Sequence, residues 1–300
     1  MISRRGFLKT TGTAIAAATL PSDAGAKAAA AAGERTFCLF SKHLPELDWS
    51  DLGKAVKDAG FDGVDLTVRA QGHVLPERAA DDLPRAIEAI TAHGVKVPMI
   101  TTELTAASVA VARPLLLAAA KSGVRYFKTG YWRFSQSADV RAQVAAAGDA
   151  LAGLANLARE CGIALGFHNH ASYIGAALWD IAPFVDRLEP RWAGYYFDPR
   201  HAVAEGGAGA WKPATYLVCP RLKMVAVKDC RWIRSAKGWE IENCPLGEGM
   251  VDWQWFGKAL NGAAFAGPIS VHLEYELTPG TKNTLDAARR DLAFARRLLA

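Results

Sequence analysis

The chain lacks most of the marks that assign a sequence to a class at sight. It has no Cys-x-x-Cys pair. Its five cysteines, Cys38, Cys161, Cys219, Cys230 and Cys244, are scattered over 300 residues, which excludes a zinc knuckle or a dithiol redox motif. No Gly-x-Gly-x-x-Gly turn is present, which argues against a dinucleotide-binding sheet. No apolar run is long enough for an ordinary membrane-spanning helix. Excess charge of one sign is also scarce: 35 Lys and Arg stand against 30 Asp and Glu, for a formal net charge of +5. A balance that small does not suit a nucleic-acid partner. No linker-like stretch divides the chain. With 51% hydrophobic and 22% charged residues, the composition is that of a globular chain with ample material for a core.

What is present begins with the leader. Ser3-Arg4-Arg5-Gly6-Phe7-Leu8-Lys9 is a twin-arginine sequence, a weakly apolar run follows from Thr10 to Leu20, and Ala24-Gly25-Ala26 offers a small-x-small cleavage site. Residues 1–26 therefore read as a twin-arginine export signal. The Ala-rich stretch 27–34 reads as disordered, and residues 35–300 as the folded domain. Cleavage after Ala26 takes away three positive charges and one negative, leaving a formal +3. The expected destination is periplasmic or secreted, without membrane association once the signal is removed. In such an oxidising compartment Cys230 and Cys244 could bridge one long loop; buried free thiols are the other reading.

The mature region alternates strand-like and helix-like runs without a break. Strands are expected at Thr36 to Phe40, Gly63 to Val68, Val95 to Ile100 and from Val124 to Phe127, with helices at Asp48 to Ala59, Asp82 to His93 and Ala106 to Ser122. The fourth helix is the clearest. Val140, Val144, Ala147, Leu151, Leu154, Leu157 and Ala158 recur on one face, and Gly162 ends it in a left-handed cap. Later helices are expected at Trp179 to Leu188, Trp211 to Leu217, Trp253 to Leu260 and Thr284 to Leu299.

Four segments of the second half share one grammar, an apolar run ending in chemically capable side chains. They are Ile163 to His170, Trp192 to His201, Leu222 to Asp229 and Pro268 to Glu276. Near-continuous apolar strands imply burial on both faces, and strict alternation with helices implies parallel pairing through right-handed crossovers. Eight such units in about 265 residues fit an α/β fold made of a single (β/α)8 TIM barrel. In that fold the C-terminal strand ends converge on one mouth. Read at those ends, the mouth carries His43, Arg69, Glu103, Lys128, Tyr131, His168, His170, Asp198, His201, Lys228, Asp229, His272 and Glu274.

Imidazoles and carboxylates with an open water position suit Mn²⁺, Zn²⁺, Mg²⁺ or Fe²⁺. Such an ion polarises a sugar carbonyl while a flanking group removes the neighbouring proton. Reprotonation then gives epimerisation or isomerisation, and loss of a β-leaving group gives a lyase or dehydratase.

Phe167-His-Asn-His170, Phe197-Asp-Pro-Arg-His201, Val227-Lys-Asp229, Pro245-Leu-Gly-Glu-Gly-Met-Val-Asp-Trp253 and His272-Leu-Glu274-Tyr together resemble the sugar phosphate isomerase/epimerase superfamily, the xylose isomerase-like TIM barrels. The resemblance covers the mature chain. It implies one divalent metal held by Glu, Asp, His and Glu on strands five to eight. By position, Asp198 and Glu274 match the strand-six and strand-eight ligands, and His201 matches a His that accompanies that Asp. His168 stands at the strand-five Glu and Ala226 at the strand-seven His. The expected ligand candidates are thus Asp198, Glu274, His168, His201 and Glu103. The expected catalytic residues are His168, Glu274 and Lys228. Arg69, His73, His170, Arg200 and Trp239 are expected to touch substrate.

Arg231 to Asp252, without clear periodicity, is too long for a passive connector; with Trp232 and Trp239 it reads as a lid over the mouth or as an aromatic staple. The activity these features imply is an isomerase or epimerase acting on a sugar, keto-sugar or cyclitol, with a lyase of keto-sugars or 3-keto-glycosides, or a non-catalytic sugar-binding barrel, as alternatives. The expected partner is a small-molecule sugar, with a homo-oligomer as a further possibility.

Overall fold

The computed structural model describes residues 34–136 and 139–300. The export signal and the Ala-rich stretch as far as residue 33 lie outside the described residues. Eight parallel strands close into a barrel: β1 (Thr36–Phe40), β2 (Gly63–Thr67), β3 (Lys96–Thr101), β4 (Tyr126–Lys128), β5 (Ala164–His168), β6 (Ala193–Phe197), β7 (Leu222–Val227) and β10 (Pro268–Val271). Going round, the order is β1-β10-β7-β6-β5-β4-β3-β2. The expected single (β/α)8 barrel is the fold found.

The helices are α1 (Trp49–Asp58), α2 (Ala79–Thr91), α3 (Ala112–Lys121), α4 (Val140–Cys161), α5 (Ala182–Val185), α6 (Pro199–Val218), α7 (Trp253–Gly262) and α8 (Thr281–Leu299). Aspartates start four of them. Asp48, Asp139, Asp198 and Asp252 each accept a backbone N–H of the first turn, as N-cap residues do. α4 ends as expected at Gly162, whose φ of 78° is the left-handed cap. Two expectations shift. α6 starts twelve residues before Trp211, because Asp198-Pro199 is a strong helix start, with a break at Gly207 (φ 56°) between its halves. The run from Trp179 yields only the four-residue α5, since the segment before it is folded into turns.

Most apolar side chains form one core drawn from strands and helices, including Phe37, Leu52, Leu83, Leu154 and Phe256. A second small cluster, Met99, Tyr196, Met224 and Ala226, lies apart. Tyr196 on β6 hydrogen-bonds Asp65 on β2 at 3.2 Å. Those strands are not neighbours, so the bond crosses the barrel interior. The seam between the chain's described ends is tied by Arg35, which donates to Phe265 O at 2.9 Å, Leu299 O at 2.5 Å and Asn261 Oδ1 at 2.7 Å.

The long segment after β7, expected to lack periodicity, is regular. It is an antiparallel hairpin, β8 (Asp229–Ser235) with β9 (Gly238–Cys244). The two-residue turn Ala236-Lys237 and the β-branched and aromatic content explain it. The register places Cys230 opposite Asn243 and Cys244 opposite Asp229, so the two thiols project from opposite faces. That rules out the bridge, and all five cysteines are free.

The β6–β7 pairing depends on a missing side chain. A Cβ added at Gly194 would lie 2.0 Å from the carbonyl oxygen of Arg221, a backbone atom that cannot swing aside. Gly194→Ala is expected to destabilise the protein by at least about 2 kcal/mol, measured as a lowered urea midpoint at unchanged m-value. An unaltered midpoint would contradict the pairing.

Candidate active site

The C-terminal strand ends enclose a cavity of about 270 Å³, at the small end of small-molecule sites and suited to a single sugar ring. Its floor is a buried polar lattice. Asp65 accepts from Thr101 Oγ1 and Ser270 Oγ, each at 2.8 Å, and from Tyr196 Oη at 3.2 Å. Burial pushes its carboxyl up to about 6 against those hydrogen bonds. His272 Nε2 lies 3.1 Å from Tyr196 Oη, and its ring stacks on Phe40.

Asp198 is the hub. Pro199 fixes the first turn of α6, and Asp198 Oδ1 accepts the His201 N–H at 3.1 Å as its cap. Asn169 grips the Asp198 backbone from β5's end, accepting its N–H at 2.8 Å and donating to its carbonyl at 2.9 Å. Thus held, Oδ2 meets Lys228 Nζ at 3.1 Å, His168 Nε2 at 3.4 Å and His201 Nε2 at 3.7 Å. Burial alone would raise its carboxyl; Lys228, His201 and His168 outweigh this and hold it well below the usual carboxylate range.

Burial drives His168 down to about 3, against the pull of Asp198, so the ring is neutral. With Nε2 facing an ionised carboxylate it carries its proton there. Nδ1 then accepts the Tyr131 hydroxyl at 2.8 Å. Both ring nitrogens are engaged, and Tyr131 shares the cavity wall with His168. On the far wall Glu274 accepts Lys42 Nζ on both oxygens at 2.9 Å. Burial opposes ionisation of Glu274, but Lys228 and Lys42 bring it below its ordinary value, so it is a carboxylate at neutral pH.

Of the residues expected from sequence, Arg69, His168, His170, Arg200, His201, Lys228 and Glu274 line this one cavity, with Asp198 buried beneath it. Three expected residues are not part of it. Glu103 is exposed and outside the wall. The His73 ring is spent away from the cavity, between Thr67 Oγ1 at the end of β2 at 3.2 Å and Leu44 O in the connection after β1 at 3.1 Å. Trp239 is 65% exposed. Asn243 on the same strand reaches the cavity, but four residues of strand place Trp239 about 13 Å farther out.

Lys42, Asn243, Tyr196 and Asp65 were not singled out by the sequence. Asp65 and Tyr196 look like ordinary members of apolar strands, and only the interior-facing alternation marks them. Asp229, which looked like a candidate at the mouth, is structural. It accepts from the N–H groups of Cys230, Val251 and Gly247 and from Trp253 Nε1, at 2.7–3.2 Å, pinning the loop that follows the hairpin.

The expected metal cage is not assembled. Among the described residues no three His, Cys, Asp or Glu side chains are arranged to hold one ion. Barrel strand seven presents Ala226, which packs in the interior cluster. Glu274 is taken by Lys42, and a lysine ammonium lies directly on Asp198. The donor set does not fit a divalent cation.

The xylose isomerase-like TIM barrel family model matches residues 54–298. The chain belongs to this family. A twin-arginine translocation signal matches residues 1–21 and directs export by that pathway. Similar solved structures include a D-psicose 3-epimerase in the presence of D-fructose, 17% identical over 88% of this chain and 99% of that one, with a TM-score of 0.67. A xylose isomerase-like TIM barrel protein from Mycobacterium smegmatis in complex with magnesium is 17% identical over 89% and 98%, at 0.66. The 3-keto-D-glucoside 4-epimerase from E. coli is 14% identical over 88% and 100%, at 0.67. At such identities the likeness is one of fold. No curated protein sequence matches the chain.

Lys128 gives the site a measurable signature. Burial, and the nearby Arg69, lower its ammonium to about 7, against weaker opposing pulls from Asp65 and Glu103. The same group titrates near 10.5 when unfolded. Between pH 7 and 10.5 the unfolded chain therefore holds the extra proton, and stability rises with pH by at most about 1.4 kcal/mol per unit. Below pH 7 both states are protonated and the full penalty of the buried charge is felt. Lys128→Met is expected to be more stable than the parent at pH 6, with the difference shrinking towards pH 10, as followed by urea unfolding across that range.

Proposed function

We propose that the protein is a sugar isomerase or epimerase that removes the proton next to the carbonyl of a keto-sugar, using its own side chains as acid, base and electrophile. The observation that carries this is an ionised, part-buried Glu274 in the same sugar-sized cavity as the Lys228 ammonium and the Tyr131 hydroxyl. β10 and β5, which lead to Glu274 and His168, are three places apart in a ring of eight, so a sugar between them has a different group at each face.

Glu274 takes the C–H proton. The electron pair moves to the carbonyl oxygen, which accepts a hydrogen bond from Lys228, itself oriented by Asp198. Tyr131 returns a proton at the opposite face. Burial raises its hydroxyl well above the ordinary value, so it keeps the proton until a strongly basic enediolate faces it. The phenolate left behind lies under Lys128 Nζ, 3.6 Å from the ring centroid. His168 acts through Tyr131, as a positioning residue. Exchange with water resets both groups. The same unsymmetrical pair serves elimination when the substrate carries a β-leaving group.

The structural neighbours that are epimerases of D-psicose, L-ribulose and 3-keto-D-glucosides support this class of chemistry. The magnesium complex of one neighbour marks the departure: here the charge that faces the oxygen is an ammonium.

The test is deuterium uptake from D₂O into a panel of keto-sugars and 3-keto-glycosides, read by NMR at the carbon beside the carbonyl. Glu274→Gln is expected to lower the rate at least about 100-fold. Absence of exchange with every member would refute proton abstraction. Dialysis against EDTA is expected to leave the rate unchanged; activity that vanishes and returns with Mn²⁺ or Mg²⁺ would remove Lys228 from its role.

A further inference from the structure

The cavity is far more cationic than a neutral sugar requires. Lys42, Arg69, Lys128, Arg200 and Lys228 line it, against Glu274 as the one lining carboxylate among the described residues. Lys42 is matched by Glu274, and Lys228 by Asp198 beneath the wall. The other three have no carboxylate within 4.0 Å among the described residues. Arg200 binds only neutral groups, Asn243 Oδ1 through Nε and Nη2, and His201 Nδ1 through Nη1. Lys128, 3% exposed, has a single long contact to Thr102 O at 3.4 Å and lies over the Tyr131 ring. Arg69 has its Nε buried without any hydrogen-bond partner, and its charge bears on Lys128. Desolvated cations of like sign placed together are unfavourable unless an anion joins them.

From this we infer that the substrate is an anionic monosaccharide whose single oxyanion group, a carboxylate or a phosphate, is bound by Arg69 and Lys128. This deepens the proposed sugar isomerisation and rests on it for the word substrate. Arg69 follows β2 and Lys128 ends β4, the two strands that flank β3, and β3 lies across the ring from β7, which leads to Lys228. The anionic end of the sugar is therefore held at the wall opposite the electrophile, leaving the carbonyl end to Lys228 and Glu274. A guanidinium fork beside an ammonium is the donor set that planar carboxylate and phosphate oxygens both accept. The volume admits one ring, not a polyanionic chain.

The experiment is isothermal titration calorimetry of D-fructose, D-fructuronate and D-fructose 6-phosphate at one low ionic strength. At least one anion is expected to bind about 10-fold or more tighter than fructose, and the one that does identifies the oxyanion. Both Arg69→Gln and Lys128→Met, each checked for a native melting transition, are expected to abolish that preference, read as the ratio of anion to fructose affinity. Equal affinities, silence with both anions, or a preference that survives both substitutions would overturn the inference. Calorimetry needs no turnover, so the two readings fail separately. Tight anion binding without deuterium exchange would refute the chemistry alone. Exchange with an unselective cavity would refute only the anionic substrate.

Discussion

One carboxylate organises this molecule's working end. Asp198 caps α6 with Oδ1 and faces Lys228, His168 and His201 with Oδ2. The same side chain ends a barrel strand, begins a helix and neutralises a buried ammonium. Each use constrains the others. The cap fixes the carboxylate plane, Asn169 fixes the backbone beneath it, and only then does the second oxygen point where a lysine from the next strand can reach it. A buried charge pair of this kind adds little net stability. What it supplies is a fixed position for the lysine nitrogen.

The surrounding wall repeats the principle with aromatic rings. Tyr131, His168, His170 and His201 pack in tilted and edge-to-face pairs with centroids 3.9–6.2 Å apart. Desolvation keeps the imidazoles neutral there. The cavity therefore has one basic carboxylate, one weakly acidic phenol and several permanent cations, a division of labour set by solvent exclusion more than by residue type.

Much of this was legible from sequence, for a definite reason. Strands buried on both faces must be apolar, so where the apolar run stops, the strand stops, and His168, Asp198, Lys228 and Glu274 stand at those stops. The barrel follows from the alternation, and the mouth follows from the barrel. Failures came where a residue's meaning depends on what lies across space. Asp65 and Tyr196 sit inside apolar runs and meet only through the barrel. His168 looked like a base or a ligand until its two nitrogens were seen to be engaged. Lys42 is one lysine among many until Glu274 is opposite it. The hairpin was missed because its strands alternate weakly, and Trp239, though chemically suited to a sugar, lies too far along one of them.

Cys230 and Cys244 face away from each other across that hairpin, and the other three thiols are free as well. Nothing in the barrel waits on oxidation to hold together. Such a chain can reach its final shape under the reducing conditions of its synthesis, before meeting an export machinery that accepts finished cargo, and it owes nothing to thiol oxidases once outside.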